Sequence, residues 1–95
     1  MVVKPYTDKK LAKGIIRRVF SESVESQELV WHRDREHRQV LVVEGKNWLI
    51  QFDNQLPTSL KEGDTVEIPA NTYHRIIKGT SPLIVEIKEG TNNEQ

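Results

Sequence analysis

Two of the three histidines in this chain lie in segments of β-type sequence, and together they could hold a metal ion. His32 stands in the segment ELVWHRD, and His74 stands in the segment EIPANTYHRI. Asp34 follows His32 at a spacing of two residues, and side chains with that spacing on a strand point to the same side. Two imidazoles and one carboxylate suit Fe(II), Mn, Ni or Zn. The sequence therefore predicts a divalent-metal site formed by His32, Asp34 and His74.

Other assignments stay open for these residues. Arg38 could form a bidentate salt bridge with Asp34, which would leave no carboxylate oxygen for a metal. A buried histidine pair can also be satisfied by ordinary hydrogen bonds. His37 is an alternative ligand, although its segment HRDREHR is typical of a charged turn.

Apolar and polar residues alternate through most of the chain, which is typical of β-strands with one buried face. The predicted strands are residues 14–20, 26–32, 38–45, 46–53, 54–61, 64–69, 73–79 and 82–89. Short, evenly spaced strands with turn residues between them indicate a sandwich or a barrel. Residues 5–13 allow a helical turn, and the polar tail at residues 90–95 is expected to fray.

Strand parity assigns further side chains to the inside of this fold. Arg38 shares a face with the apolar residues of its strand, and an inward arginine needs a partner. That partner is Asp34, a bound ligand, or both. Trp48 and Phe52 share an inward face as well, so we predict that Arg38, Trp48 and Phe52 line a small-molecule pocket. Plain core packing is the alternative for the two aromatic residues.

Leu41 and Val43 are apolar but fall on the opposite face of the strand that carries Arg38. Apolar residues on an outer face need a cover, which the N-terminal strand or a second subunit could supply. A small domain also buries a modest share of its surface, so a partner would stabilise it. We therefore expect a homodimer that forms through sheet faces or an exchanged N-terminal strand.

Length and composition restrict the class of protein. The 95 residues suffice for a single domain, 1–95, with its core at about 14–89. The net charge of zero argues against a nucleic-acid partner. No apolar run is long enough to span a membrane, so no membrane partner is expected. The chain has no cysteine, which excludes disulfides and thiolate metal sites and favours a cytoplasmic location.

The spacing of several residues resembles the two motifs of the cupins. Gly63, Pro69 and His74 match the second motif, G-x5-P-x-G-x2-H-x3-N. Asn71 stands at the position of its middle glycine, and Lys78 at that of its final asparagine. Because asparagine tolerates a positive φ better than most residues, the turn is expected to persist.

The first cupin motif, G-x5-H-x-H-x(3,4)-E-x6-G, is only half kept. His32 and Gly45 match its first histidine and its closing glycine. Ser26, Asp34 and Arg38 replace its opening glycine, second histidine and glutamate. Cupins that match fully bind a divalent metal through three histidines and a glutamate. The pattern His-x-Asp with a distal histidine also resembles the iron-dependent 2-oxoglutarate oxygenases.

The resemblance covers roughly residues 26–88 and implies an all-β fold, the double-stranded β-helix (jelly roll) of a cupin-like barrel. That fold hosts enzymes and binding proteins alike, so three hypotheses for the function stay open. The first is a metal-dependent oxygenase or isomerase that binds a small anionic metabolite in the barrel mouth, oriented by Arg38. The second is a non-catalytic module that binds a sugar or a small acid. The third is a degenerate, metal-free cupin that serves only in assembly.

Overall fold

The protein is described by a computed structural model that covers residues 6–22 and 30–90. Within those residues the fold is all-β, as predicted, and no helix is long and apolar enough to cross a membrane. The strands are β1 (Tyr6–Ala12), β2 (Ile15–Phe20), β3 (Arg38–Glu44), β4 (Leu49–Phe52), β5 (Thr58–Ser59), β6 (Thr65–Ile68), β7 (His74–Ile77) and β8 (Leu83–Glu89).

The strands form two antiparallel sheets whose inner faces share one core. The larger sheet has the strand order β1-β2-β8-β3-β6, and the smaller has the order β5-β4-β7. Phe20, Val42 and Val85 from the larger sheet join Ile50 of the smaller one and Trp48, the residue just before β4, in a single buried cluster. This layered arrangement is that of a double-stranded β-helix, and the two sheets do not close into one barrel over the described residues.

Strand β3 shows the predicted alternation of faces. Val40 and Val42 are buried, and Arg38 on the same face is largely covered. Leu41 and Val43 are each 39% exposed on the opposite face. Strand β1 pairs edge to edge with β2 at the far side of the sheet, so it does not cover Leu41 and Val43. The predicted inward face of β3 is therefore confirmed, and among the described residues the N-terminal strand of the same chain does not cover its outer face.

Three segments differ from their predicted secondary structure or lie partly outside the described residues. The segment at residues 5–13 holds β1 instead of a helical turn, because its side chains pair across to β2 and Tyr6 packs against the core. The predicted strand 54–61 is reduced to Thr58–Ser59, since Pro57 leaves no backbone donor for a longer ladder. The predicted strand 26–32 falls mainly outside the described residues, and its described end contributes a single bridge from His32 to His74. The tail that follows Gly90 also lies outside them.

Candidate functional site

A cavity of about 260 Å³ opens among residues of both sheets. Its walls are mainly aliphatic, with Val40 and Val85 from the larger sheet and Ile50 and Ile76 from the smaller one. The cavity is larger than the roughly 150 Å³ space that admits benzene, and slightly smaller than pockets for drug-sized ligands, which start at about 300 Å³. Its ionisable lining residues are Tyr6, Arg18, His32, Asp34, Arg38 and His74.

The three predicted metal ligands come together on one side of this cavity. One ligand atom each from His32, Asp34 and His74 lies within 4.8 Å of the others. The two imidazole rings have centroids 4.4 Å apart and are inclined at 58°. His74 on β7 is only 3% exposed, whereas the ring of His32 is exposed. The geometry thus brings two nitrogen donors and one oxygen donor within reach of a single ion.

Backbone hydrogen bonds attach the segment of His32 to β7. The amide of His32 donates to the carbonyl of His74 at 3.0 Å, and the amide of His74 donates back at 2.9 Å. The amide of Asn71 donates to the carbonyl of Asp34 at 2.7 Å. Asn71 has a φ of 61°, which confirms the expected turn at this position. Both His32 and Asp34 are therefore positioned by the chain that leads into His74.

The tautomer of each histidine is set by a carbonyl. Nδ1–H of His32 donates to the carbonyl of Val30 at 2.9 Å, and Nδ1–H of His74 donates to the carbonyl of Thr72 at 2.8 Å. Because a carbonyl can only accept, Nδ1 carries the proton in both rings. The Nε2 atoms are then left with lone pairs. A carbonyl that binds the far ring nitrogen is the usual support of a metal-ligating histidine.

Burial lowers the pKa of His74 below its ordinary value, and the neighbouring His32 and Arg38 lower it further. The carbonyl of Thr72 and the carboxylate of Asp34 act in the opposite direction but do not outweigh burial. His74 is thus neutral at physiological pH. A histidine must be neutral to ligate a metal, so its environment favours that role.

Arg38 contacts two carboxylates. Its Nη1 lies 3.4 Å from Oδ2 of Asp34, and its Nη2 lies 2.5 Å from Oε2 of Glu89, which is opposite Arg38 in the sheet register. Oδ2 of Asp34 is also 3.5 Å from Nε2 of His74. The contact between Arg38 and Asp34 is a single long one and not the bidentate bridge that would occupy both carboxylate oxygens.

Two polar atoms at the site are buried without a hydrogen-bond partner. They are Oδ2 of Asp34 and Nε of Arg38. A buried polar atom without a partner is costly, so each needs an explanation. An ion bound by Asp34, His32 and His74 would satisfy the first atom, because Oδ2 already faces Nε2 of His74. The residues present therefore fit a divalent metal ion.

The structure does not bring every predicted site residue to the cavity. Trp48 does not line this cavity, because it is 0% exposed in the core, where its indole N–H donates to the carbonyl of Ser81 at 2.6 Å. Phe52 lies beside the site, with its ring centroid 6.1 Å from that of His74, but it does not line the cavity. His37 lies apart, with Nε2 2.5 Å from Oε1 of Glu67.

Two charged residues near the cavity escaped sequence analysis. Arg18 lines the cavity and donates two hydrogen bonds to the carboxylate of Asp8, at 2.7 Å and 2.9 Å. Its guanidinium stacks 3.8 Å above the ring of Tyr6. The other is Glu89, the partner of Arg38. Strand parity could have indicated that both side chains point inward. Arg18 shares the face of Ile16 and Phe20 on β2, and Glu89 continues the inward series of β8.

Solved structures with the same architecture decide the fold. A double-stranded β-helix protein of the cupin family from Methanocaldococcus jannaschii has a TM-score of 0.66 and 21% identity, over 95% of this chain and 93% of the other. This chain has the cupin fold. The resemblance to the cupin motifs is thereby confirmed at the level of the fold. No protein-family model matches the chain, and no curated protein matches its sequence.

Other solved structures similar to the chain differ in the activities that their names give. A candidate mannose-6-phosphate isomerase from Ralstonia eutropha JMP134 has a TM-score of 0.71 and 23% identity, over 92% of this chain and 83% of the other. A DMSP lyase from Ruegeria pomeroyi has a TM-score of 0.66 and 12% identity, over 96% of this chain but 49% of the lyase. At such identities the likeness concerns the fold, so the function has to be argued from the site.

Proposed function

We propose that the protein binds one divalent metal ion through His32, Asp34 and His74 and holds a small anionic metabolite beside it. The observation that carries this proposal is the cluster of one donor atom each from His32, Asp34 and His74 within 4.8 Å of one another, in which Oδ2 of Asp34 is buried without a hydrogen-bond partner. Two imidazoles and one carboxylate suit Fe(II), Mn, Ni or Zn and leave coordination positions for a ligand. The reaction we favour is that of an oxygenase or an isomerase.

A divalent ion at this site would supply Lewis-acid activation of a ligand oxygen. The chain itself contributes the surroundings of that ligand. The aliphatic walls exclude water and lower the local dielectric, which strengthens each polar contact. Arg38 lines the same cavity, and its buried Nε–H is oriented by two carboxylates but has no acceptor of its own. An anionic oxygen is the acceptor that a guanidinium binds best, so Arg38 is the residue that would orient the metabolite.

One observation favours a second function, that of a metal-free module for a small acid or a sugar. Arg38 stands where the cupin motif has a glutamate, and its Nη1 is 3.4 Å from the oxygen of Asp34 that a metal would need. A cation at this distance weakens the binding of an ion. In that case Asp34 would be held by Arg38 and His74, and the cavity would bind its ligand by hydrogen bonds alone.

Metal retention separates the two functions. Purified protein is stripped with a chelator, incubated in turn with Fe(II), Mn, Ni and Zn, dialysed and analysed for metal. We expect about one ion per chain for the wild type, none for His74→Ala, and an unchanged amount for the control His37→Ala, since His37 pairs with Glu67 away from the site. A wild-type protein that retains none of the four metals would leave the metal-free module as the better account.

The homodimer also stays a proposal, as does the cytoplasmic location. Leu41 and Val43 are each 39% exposed on the outer face of the larger sheet, and Val19 and Ile84 face each other on neighbouring strands of that sheet. A second copy could cover such a patch through a two-fold contact. Leu41→Lys should then shift the protein toward the monomer in sedimentation, and a wild type that is already monomeric at tens of micromolar would refute the dimer.

A further inference from the structure

The charged groups around the cavity are unevenly matched in sign. Among the described residues, those that line it are Arg18, Arg38 and Asp34, and the arginines bind Asp8 and Glu89. The side chains of Arg18, Arg38 and Asp34 are 13%, 17% and 15% exposed. At such burial, water screens these charges poorly, so an unmatched charge is felt by any ligand that enters.

Two arginines face three carboxylates in this group, and both imidazoles are neutral when they act as ligands. Without a metal the group therefore carries one excess negative charge. A divalent ion at His32, Asp34 and His74 changes that excess to one positive charge. The side chains of Asp8 and Glu89 are 32% and 37% exposed, so water screens part of this excess. The metal-free cavity therefore disfavours anions, and the metal-loaded cavity matches a ligand with a single negative charge.

We infer that Glu89 makes anion binding in this cavity depend on the metal and selects a ligand with one negative charge. This inference rests on the metal site proposed above. Glu89 supplies the third carboxylate, since Asp34 is a metal ligand and Asp8 pairs with Arg18. Without Glu89, the two arginines would balance the other two carboxylates, and an anion could enter without a metal.

The shape of the cavity limits the rest of the ligand. Its volume of about 260 Å³ and its aliphatic walls suit a compact hydrocarbon body. The unpartnered Nε–H of Arg38 requires an acceptor oxygen. A short, branched monocarboxylate has both features. A dicarboxylate of the same length would carry one negative charge more than the metal-loaded cavity matches.

The first experiment measures how ligand binding depends on the metal. Isovalerate is the monoanionic probe, isovaleramide its neutral counterpart, and glutarate the dianion. Each is titrated by calorimetry into metal-free and zinc-loaded protein in a buffer without carboxylates or phosphate. We expect isovalerate to bind zinc-loaded protein at least about tenfold more tightly than metal-free protein, to outcompete glutarate there, and to bind more tightly than isovaleramide.

The second experiment removes negative charges one at a time. Glu89→Gln should raise the affinity of metal-free protein for isovalerate, and it should shift the zinc-loaded preference toward glutarate by about tenfold. The shift is partial, because the Glu89 side chain is 37% exposed and so partly screened. Glu86→Gln is the matched control, since Glu86 lies on the same strand but pairs with Arg17 on the outer face. It should change neither preference.

Asp8→Asn distinguishes charge from positioning. Asp8 forms its ion pair with Arg18, whereas Glu89 forms its ion pair with Arg38. If charge balance decides, Asp8→Asn shifts the preference in the same direction as Glu89→Gln. If only Glu89→Gln shifts it, Glu89 acts by holding Arg38 in place, and the inference is wrong. Thermal melts of the three variants show whether each is folded before it is titrated.

The results also separate this inference from the metal site. Zinc binding is measured first, without any anion present. Protein that binds no zinc refutes the metal site and the inference together. Protein that binds zinc but takes isovalerate equally well without it, or does not take it at all, keeps the metal site and overturns the inference alone.

Discussion

The proposed metal site has two halves that are built in different ways. His74 belongs to strand β7 and is 3% exposed, with its backbone paired to β4 on one side. His32 and Asp34 belong to an irregular segment, whose backbone bonds to His74 through one bridge and accepts a hydrogen bond from the turn residue Asn71. The first half is held by the core. The second half, the segment of His32 and Asp34, is fixed by backbone hydrogen bonds to His74 and to the turn before it.

This difference shows how the site keeps its geometry although one of its sequence motifs is degraded. The better-kept second motif makes the turn before β7 and buries His74. The degraded motif has only to lie against that turn, because main-chain hydrogen bonds fix its direction whatever its side chains are. Substitutions in the two halves should therefore differ in their effect on stability, even where they have the same effect on metal binding.

The largest contrast is expected between His74→Ala and His32→Ala. Both should abolish metal retention, since each removes one of two imidazole ligands. His74→Ala should also lower the free energy of unfolding of the metal-free protein by about 1–3 kcal/mol, because it leaves a cavity and an unpaired carbonyl at Thr72. His32→Ala should change it by less than about 0.5 kcal/mol, because that ring is exposed. Equal losses in urea unfolding would mean that the two halves are equally buried in solution.

Arg38→Ala tests the charges that surround the second half. Its removal leaves Asp34 and Glu89 without a counter-charge, which should cost about 1–3 kcal/mol, less than a fully buried pair because Glu89 is 37% exposed. The same change removes a cation near Oδ2 of Asp34, so zinc affinity should rise. Arg17→Ala is the control, since Arg17 is 43% exposed in a surface pair. A loss of stability no greater than in that control would show that Arg38 is already solvated.

Asn71→Ala tests the turn that links the halves. Asn71 has a φ of 61°, and an alanine there should cost about 1–2 kcal/mol. Asn54, with a φ of 62°, offers a matched position away from Asp34. Both alanine variants should lose similar stability in thermal melts, but only Asn71→Ala should weaken zinc binding. If Asn54→Ala weakens it equally, the turn has no special role in placing Asp34.

The smallest effect expected is a dependence of stability on pH that arises from His74, the half of the site that lies in the core. Burial lowers the pKa of His74 below its ordinary value of 6.5, so the unfolded chain binds this proton more readily than the native one. Stability from this residue is present above about pH 6.5 and declines as the pH falls from there toward the lowered pKa. Urea unfolding of metal-free protein should show that decline in the wild type and in His37→Ala, but not in His74→Ala.

The core-held half was also the more predictable one. Motif spacing predicted the turn at Asn71, which leads into His74 and has a φ of 61°. On β3, outside this half of the site, alternation placed Arg38, Val40 and Val42 on one face. Both signals are local. Trp48 was assigned to the pocket because parity gives the inward direction of a side chain but not whether it meets a cavity or packed neighbours.

The partners that sequence analysis missed depend on contacts between distant strands. Glu89 meets Arg38 only because β8 lies beside β3 in the sheet, and Arg18 reaches the cavity only because β2 lies beside β8. Strand order follows from how the whole chain packs, and no local pattern records it. The charges that we expect to select the ligand were for that reason visible only in the fold.

X-ray absorption at the zinc edge tests the central claim most directly. It would be measured on zinc-loaded wild-type protein after dialysis. We predict one ion per chain, with two imidazole nitrogens and at least one carboxylate oxygen at about 2.0–2.2 Å. Spectra without imidazole scattering, or a protein that loses its zinc on dialysis, would contradict a metal site formed by His32, Asp34 and His74.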